Sequence, residues 1–169
     1  QGKTLLTPSP RMKEGFLLLD SSWMPKSVFL DASSIAGSFK HGRRVSLADL
    51  PKPNLIILGS VAVSTKGGRL GKGGGYGEIE YGILRELNLV DDNVPILTTV
   101  HDLQLVEDVP VEEHDVPVDV IITPTQTLRT CTSYCKPRGI LWDRLTPERL
   151  EEMPILKMVY QRHLEASSG

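Results

Sequence analysis

Apolar residues in this chain come in short runs separated by proline, glycine and polar clusters, and the runs alternate with stretches of helical period. Lys3 to Leu6 reads as a short strand. Thr7-Pro8-Ser9-Pro10 stops it, because proline lacks a donor and disfavours helix at the residue before it. Gly15 to Leu19 reads as a second extended piece and Asp20 to Pro25 as a turn. Val28 to Phe39 leaves two readings open, a short helix over a sheet face or an irregular lid, since its serines and glycine blur any period. The continuous apolar run Asn54 to Leu58 suits a strand buried on both faces of a parallel sheet, and Val61-Ala62-Val63 extends it.

Tyr76, Ile79, Ile83, Leu84 and Leu87 then fall on one face of a helix that ends near Asn88. Pro95 to Val100 reads as the next buried strand, with His101 to Asp108 as the loop at its C-terminal end. Val116 to Thr123 is another strand, broken by Pro124-Thr125. Gln126 to Cys135 reads as a short extended or helical connection, and Gly139 to Trp142 as a last edge strand. Thr146-Pro147-Glu148 carries a helix start: Thr as N-cap, Pro at the first position, an acid in the first turn. Pro154 opens a final helix with Ile155, Met158 and Val159 on one side. Buried strands alternating with helices predict an α/β fold, a three-layer α/β/α arrangement with a mostly parallel sheet. In such sheets ligands sit beyond the C-terminal ends of the strands.

The chain has 169 residues, a length that suits one domain with a sizeable core. We expect that domain to occupy residues 1–165, with 166–169 as a tail. Because the chain opens at Gln1, directly in a strand-like run, an N-terminal portion is expected to be missing. Hydrophobic residues make up 40% and charged residues 24%, the composition of an ordinary globular protein. A net charge of −2 gives no global drive toward nucleic acid or an anionic membrane. The local basic cluster Lys40-His41-Gly42-Arg43-Arg44 reads as a solvated loop. Cys131 and Cys135 lack the C-x-x-C spacing of redox and zinc sites and read as reduced thiols. With no secretory signal and no long apolar segment, a cytoplasmic location is expected.

One stretch concentrates candidate chemistry. Lys66 to Tyr81, KGGRLGKGGGYGEIEY, holds six of the fifteen glycines before Tyr76 and places Arg69 and Lys72 among them, between a strand-like run and a helix. Glycine lets backbone N–H groups turn toward a ligand, and the helix N-terminus adds partial positive charge. Together these describe a phosphate cradle; a plain glycine-rich surface loop is the alternative. The stretch is not a Walker A motif, because Gly73 follows Lys72 where Ser or Thr is required, and it is not G-x-G-x-x-G. Glu80 and Tyr81 read as a solvated face and a core edge. His101-Asp102, at a strand end, is either part of a site or a polar pair that satisfies loop backbone.

Gly67 to Tyr76, GGRLGKGGGY, is similar to the G-x-R-L-G-x-G-x-G-Y-Y-D signature of 5-formyltetrahydrofolate cyclo-ligases. Pro110-Val-Glu-Glu-His114-Asp115-Val-Pro-Val-Asp119 resembles that family's second motif, an acidic-His-Asp stretch before a strand. GSVAVSTKGGRLGKGGGYGEIEY, VHDLQLVEDVPVEEHDVPVDVIITPT and GILWDRLTPERLEEMPIL resemble more narrowly the methenyltetrahydrofolate synthetase domain-containing proteins, a cyclo-ligase-like group. The resemblance runs from Lys3 to about Leu156. It implies a three-layer fold related to CoA-transferases and ribose-phosphate isomerases. It also implies ATP- and Mg²⁺-dependent conversion of 5-formyltetrahydrofolate to 5,10-methenyltetrahydrofolate through a phosphorylated formyl oxygen. On that basis Gly71, Lys72, Gly73, Gly74, Gly75 and Tyr76 would hold the nucleotide. Arg69, Lys72 and Tyr76 would serve catalysis, and Glu78 and Asp115 the metal. His114 is a candidate helper or a loop histidine, and Asp119 is expected to face solvent or cap a loop.

The departures from the family pattern are local. Gly77-Glu78 stands where the family has Tyr-Asp, and Val63-Ser64 where the enzymes have Phe-Asp in a Pro-Gly-x-Ala-Phe-Asp stretch. The enzymes also grip nucleotide phosphates from an N-terminal helix, and none precedes the first strand here. A module that binds nucleotide or RNA without turnover is therefore the second expectation. Some proteins of the group carry a separate RNA-recognition domain, but no RNP-type aromatic motif in this chain supports RNA as a partner.

Overall fold

A computed structural model describes residues 2–167; the end of the expected tail, 168–169, lies outside the described residues. Along the chain run β1 (Thr4–Pro8), β2 (Phe16–Asp20), α1 (Phe29–Ala32), α2 (Ile35–His41), β3 (Arg43–Val45), β4 (Ile56–Ile57), β5 (Ala62–Ser64) and β6 (Arg69–Leu70). Then follow α3 (Tyr76–Glu86), β7 (Ile96–Thr99), β8 (Leu105–Val106), β9 (Val120–Ile122), β10 (Thr127–Arg129), α4 (Pro147–Glu152) and α5 (Pro154–Ser167). This is a mixed α/β protein. The chain groups into two compact units, residues 1–51 with 142–169, and residues 52–141. Among the described residues no helix is long and apolar enough to cross a membrane.

In the first unit β1, β2 and β3 form an antiparallel sheet, with Leu6 opposite Leu18 and Phe16 opposite Val45. Leu17, Leu19 and Ala32 are buried together, and Met24 and Phe39 pack against them. The ambiguous stretch 28–39 is helical in two short pieces, the second capped by the Ser34 hydroxyl, which accepts from the Gly37 amide at 3.0 Å. The basic cluster is partnered. Lys40 and His41 both reach Asp31, Arg43 lies 4.3 Å over the Trp23 ring, and Arg44 pairs with Glu14. α4 starts as its sequence dictates, with Pro147 at the first position and the Thr146 hydroxyl accepting from the Arg149 amide. In α5, Ile155 and Val159 are buried, but Met158 is 52% exposed and does not share their face.

In the second unit a four-stranded sheet has the order β10-β9-β7-β4. Its pairs β4–β7 and β7–β9 are parallel, and β9–β10 is antiparallel. β4 occupies an edge, and Ile57 is 62% exposed; the run Asn54 to Leu58 is thus not a strand buried on both faces. A smaller sheet, β6-β5-β8, joins an antiparallel hairpin to a parallel neighbour. Sequence patterning did not reveal it, because its strands are two or three residues long. α3 buries Ile79, Tyr81, Ile83 and Leu84. The expected edge strand at Gly139 to Trp142 is absent. Instead the Ile140 amide donates to the Glu86 carboxylate at 3.0 Å, and Trp142 begins a 3-10 turn. Asp119 does not face solvent freely: its carboxylate accepts from the Ile96 amide at 2.7 Å and from Lys136 Nζ at 2.8 Å. Lys136 Nζ also donates to the carbonyls of Asp92 and Val94, each at 2.9 Å.

Candidate phosphate-binding loop

The glycine stretch begins as a hairpin. The Gly67 amide donates to the Ser64 carbonyl and the Ser64 amide to the Gly68 carbonyl, each at 2.9 Å, so β5 turns into β6 across Thr65 and Lys66. Gly67 takes φ +92°, and a Cβ there would lie 2.8 Å from the Val118 carbonyl oxygen; glycine is required on both counts. Gly73 (φ +77°) and Gly75 (φ +64°) also adopt the left-handed region. Gly75 is the N-cap of α3 and has no side chain to accept from the first-turn amides. Those amides are the donors that a side-chain cap satisfies in most helices. Gly71, Lys72 and Gly73 are exposed.

The two basic residues of the stretch have different environments. Lys72 is exposed, and no ion pair joins it to another described side chain. Arg69 is only 4% exposed. Its Nε donates to the Val116 carbonyl and its Nη1 to the Gly59 carbonyl, each at 3.2 Å. Its Nη2 forms an ion pair with the Glu78 carboxylate. Lys66, at the hairpin tip, lies 3.5 Å from Asp108.

The second motif reaches the first through backbone. The Val118 amide donates to the Gly67 carbonyl at 2.9 Å, and Val116 receives Arg69. Asp115 closes its own turn, accepting the Glu112 amide at 2.7 Å. His114 lies between Glu112 and Asp115, at 3.7 and 3.8 Å. Glu78 and Asp115 thus each have a partner of their own. Among the described residues no group of three or more His, Cys, Asp or Glu side chains converges as a metal cage would. Magnesium prefers a near-ideal octahedron of oxygens and often keeps waters and substrate phosphates in it. The carboxylates present do not preform such a site.

Around the loop, His101 caps a 3-10 turn, its Nδ1 accepting the Leu103 amide while Gln104 Oε1 accepts the His101 amide. Asp102 accepts the hydroxyls of Thr123 at 2.5 Å and Thr125 at 2.6 Å, which hold its carboxyl below the usual range. These residues stand at the C-terminal ends of β7 and β9 and satisfy one another. Glu80 was not singled out by sequence as a titrating group. Burial pushes its carboxyl up to about 7, the Glu78 carboxylate adds to the rise, and the Arg69 guanidinium opposes it. Helical period alone could not reveal this, since it depends on which neighbours cover the side chain. The Ser64 hydroxyl, where the enzymes carry Asp, is fully buried without a hydrogen-bond partner among the described residues.

Comparison with known proteins gives a consistent picture. Residues 1–124 match the model of the 5-formyltetrahydrofolate cyclo-ligase family. The chain is similar to methenyltetrahydrofolate synthase domain-containing proteins of Bos taurus, Homo sapiens and Danio rerio, at 37% identity to each. These matches cover 99%, 97% and 99% of this chain and 44% of each relative. The chain therefore spans less than half the length of the curated relatives it matches.

Proposed function

The chain belongs to the 5-formyltetrahydrofolate cyclo-ligase family, and from that premise we propose that it binds ATP at the loop from Gly71 to Tyr76. The observation that best supports this is the start of α3. Its first-turn amides follow a left-handed Gly75 that offers no side-chain cap, beside an exposed Lys72. In this reading the amides of Gly71 and Gly73 to Gly75 and the α3 N-terminus receive phosphate oxygens. Lys72 supplies the compensating charge, and Tyr76 borders the phosphates. A reduced folate would be the second substrate, on the three-layer framework that family likeness implies. Mg²⁺ would arrive with the nucleotide, held chiefly by its phosphates.

The chemistry in this proposal is phosphorylation of the formyl oxygen, ring closure by the second folate nitrogen, and loss of phosphate. Catalysis of this kind depends mainly on positioning and charge neutralisation. Isothermal calorimetry with ATP and Mg²⁺ tests binding. Lys72→Ala is expected to weaken it about tenfold or more, the cost of one charge-assisted phosphate contact. Absence of binding by the unaltered chain would overturn the proposal.

A second reading, binding without turnover, is favoured by one observation. Glu78, at the family's aspartate position, is engaged by buried Arg69. Methenyltetrahydrofolate absorbance after mixing 5-formyltetrahydrofolate, ATP and Mg²⁺ separates the two readings.

A further inference from the structure

Arg69 and Glu78 stand at opposite ends of the glycine loop, in β6 and in the first turn of α3. Their ion pair spans the loop as a cross-strut. The guanidinium is fixed on two further sides by the carbonyls of Gly59 and Val116, which belong to the segment after β4 and to the second motif. The loop backbone wraps this group closely. A Cβ at Gly71 would lie 3.3 Å from Nη1, and one at Gly77 would lie 3.4 Å from Nη2. Both ends of the loop therefore lie against the same guanidinium, and at Gly71 the approach is tighter than an ordinary Cβ contact. Glu78, the second residue of the Gly77-Glu78 departure from the family pattern, gives the counter-charge in this arrangement.

We propose that Arg69 and Glu78 form a clasp that sets the shape of the glycine loop, and that Arg69 is a positioning residue which does not touch phosphate. Turning Arg69 toward a ligand would break three contacts and leave Glu78 as a half-buried carboxylate without its cation, a costly change. Pairing has a second effect. An unneutralised Glu78 in the first turn of α3 would oppose an incoming anion at the positive end of the helix; with Arg69 beside it, that opposition is cancelled. Lys72 is then the cation that meets the ligand. The functional consequence rests on the ATP-binding reading above, but the clasp itself is a property of the ligand-free chain.

Nitrogen-15 relaxation of the ligand-free chain tests it. The amides of Gly71, Gly73, Gly74 and Gly75 are expected to have order parameters near the rigid value of about 0.85, falling below about 0.6 in Glu78→Gln. Amides of Ile83 and Leu84, deeper in α3, should not change. Arg69→Met is expected to have the same effect, and the double variant no more than either single one, as for two members of one contact. Should Arg69→Met fail to fold, Glu78→Gln keeps both carbonyl contacts of Arg69 and remains readable. Loop values already below about 0.6 in the unaltered chain, or unchanged in Glu78→Gln, overturn the clasp. In Lys72→Ala the loop should stay rigid while ATP affinity falls. A rigid loop in a chain with no affinity for ATP would overturn the binding proposal and leave the clasp standing.

Discussion

Glu80 lies two residues beyond the clasp, half-buried, with its carboxyl raised to about 7 from an ordinary value of 4.5. The folded chain therefore holds a proton that the unfolded chain releases between those two values. This group's contribution to stability is complete below about 4.5 and is lost as pH rises through about 7. Glu80→Gln removes the titration. The variant is expected to be more stable than the unaltered chain at pH 8, by on the order of 2 kcal/mol, and to differ little at pH 4.5. Urea midpoints measured across that range check it; a gap that does not widen with pH would contradict the assignment. At this scale the sequence was only partly legible. It located the cations of the loop, but residue type does not say which way a guanidinium turns. Arg69 is settled by the carbonyls of Gly59 and Val116, ten residues before it and 47 after, and no local pattern reports such partners.

Among the elements, α3 shows how two glycines on one helix have opposite roles. Gly82 faces Ile140, whose Cγ1 would stand 2.6 Å from an added Cβ. Gly82→Ala is expected to destabilise by about 1–2 kcal/mol despite its better helix propensity, because the packed neighbour must move. Gly77→Ala meets its nearest atoms at 3.4 and 3.7 Å, an ordinary contact, and is expected to gain about 0.5 kcal/mol from propensity. Urea unfolding of both variants checks the contrast, and equal shifts of the same sign would contradict it. Element type was largely readable from the sequence. An apolar face of helical period placed α3, cap and proline signals placed α4 and α5, and apolar runs placed β2, β7 and β9. What failed was strand context. A continuous apolar run looks alike whether a strand is covered or lies at an edge, so β4 was expected to be buried where Leu55 and Ile57 are exposed. β5, β6 and β8 pair across up to 42 residues, beyond the reach of any local period.

Across the whole molecule, the two units are built differently along the chain. One joins the first 51 residues to those from 142 onward, and the other is the continuous stretch between. Both motifs of the candidate site lie in the continuous unit, so the candidate loop and its clasp depend on the integrity of residues 52–141. The matched relatives are more than twice as long as this chain, and activity of such a full-length protein is a separate question from the loop's binding. The Lys136 amine offers a direct measure of that integrity. Its side chain is 8% exposed, and its three donors are directed to Asp92, Val94 and Asp119. An amine-reactive acylating reagent should modify Lys72 and Lys52 at once in the native chain and leave Lys136 intact. Peptide mapping by mass spectrometry across a urea series would then time the acylation of Lys136 to the opening of this unit, and equal labelling of Lys136 and Lys72 in water would contradict it. The lysine that ties down Asp119 is thus also a chemical clock, whose rate reports how often the unit carrying the loop comes apart.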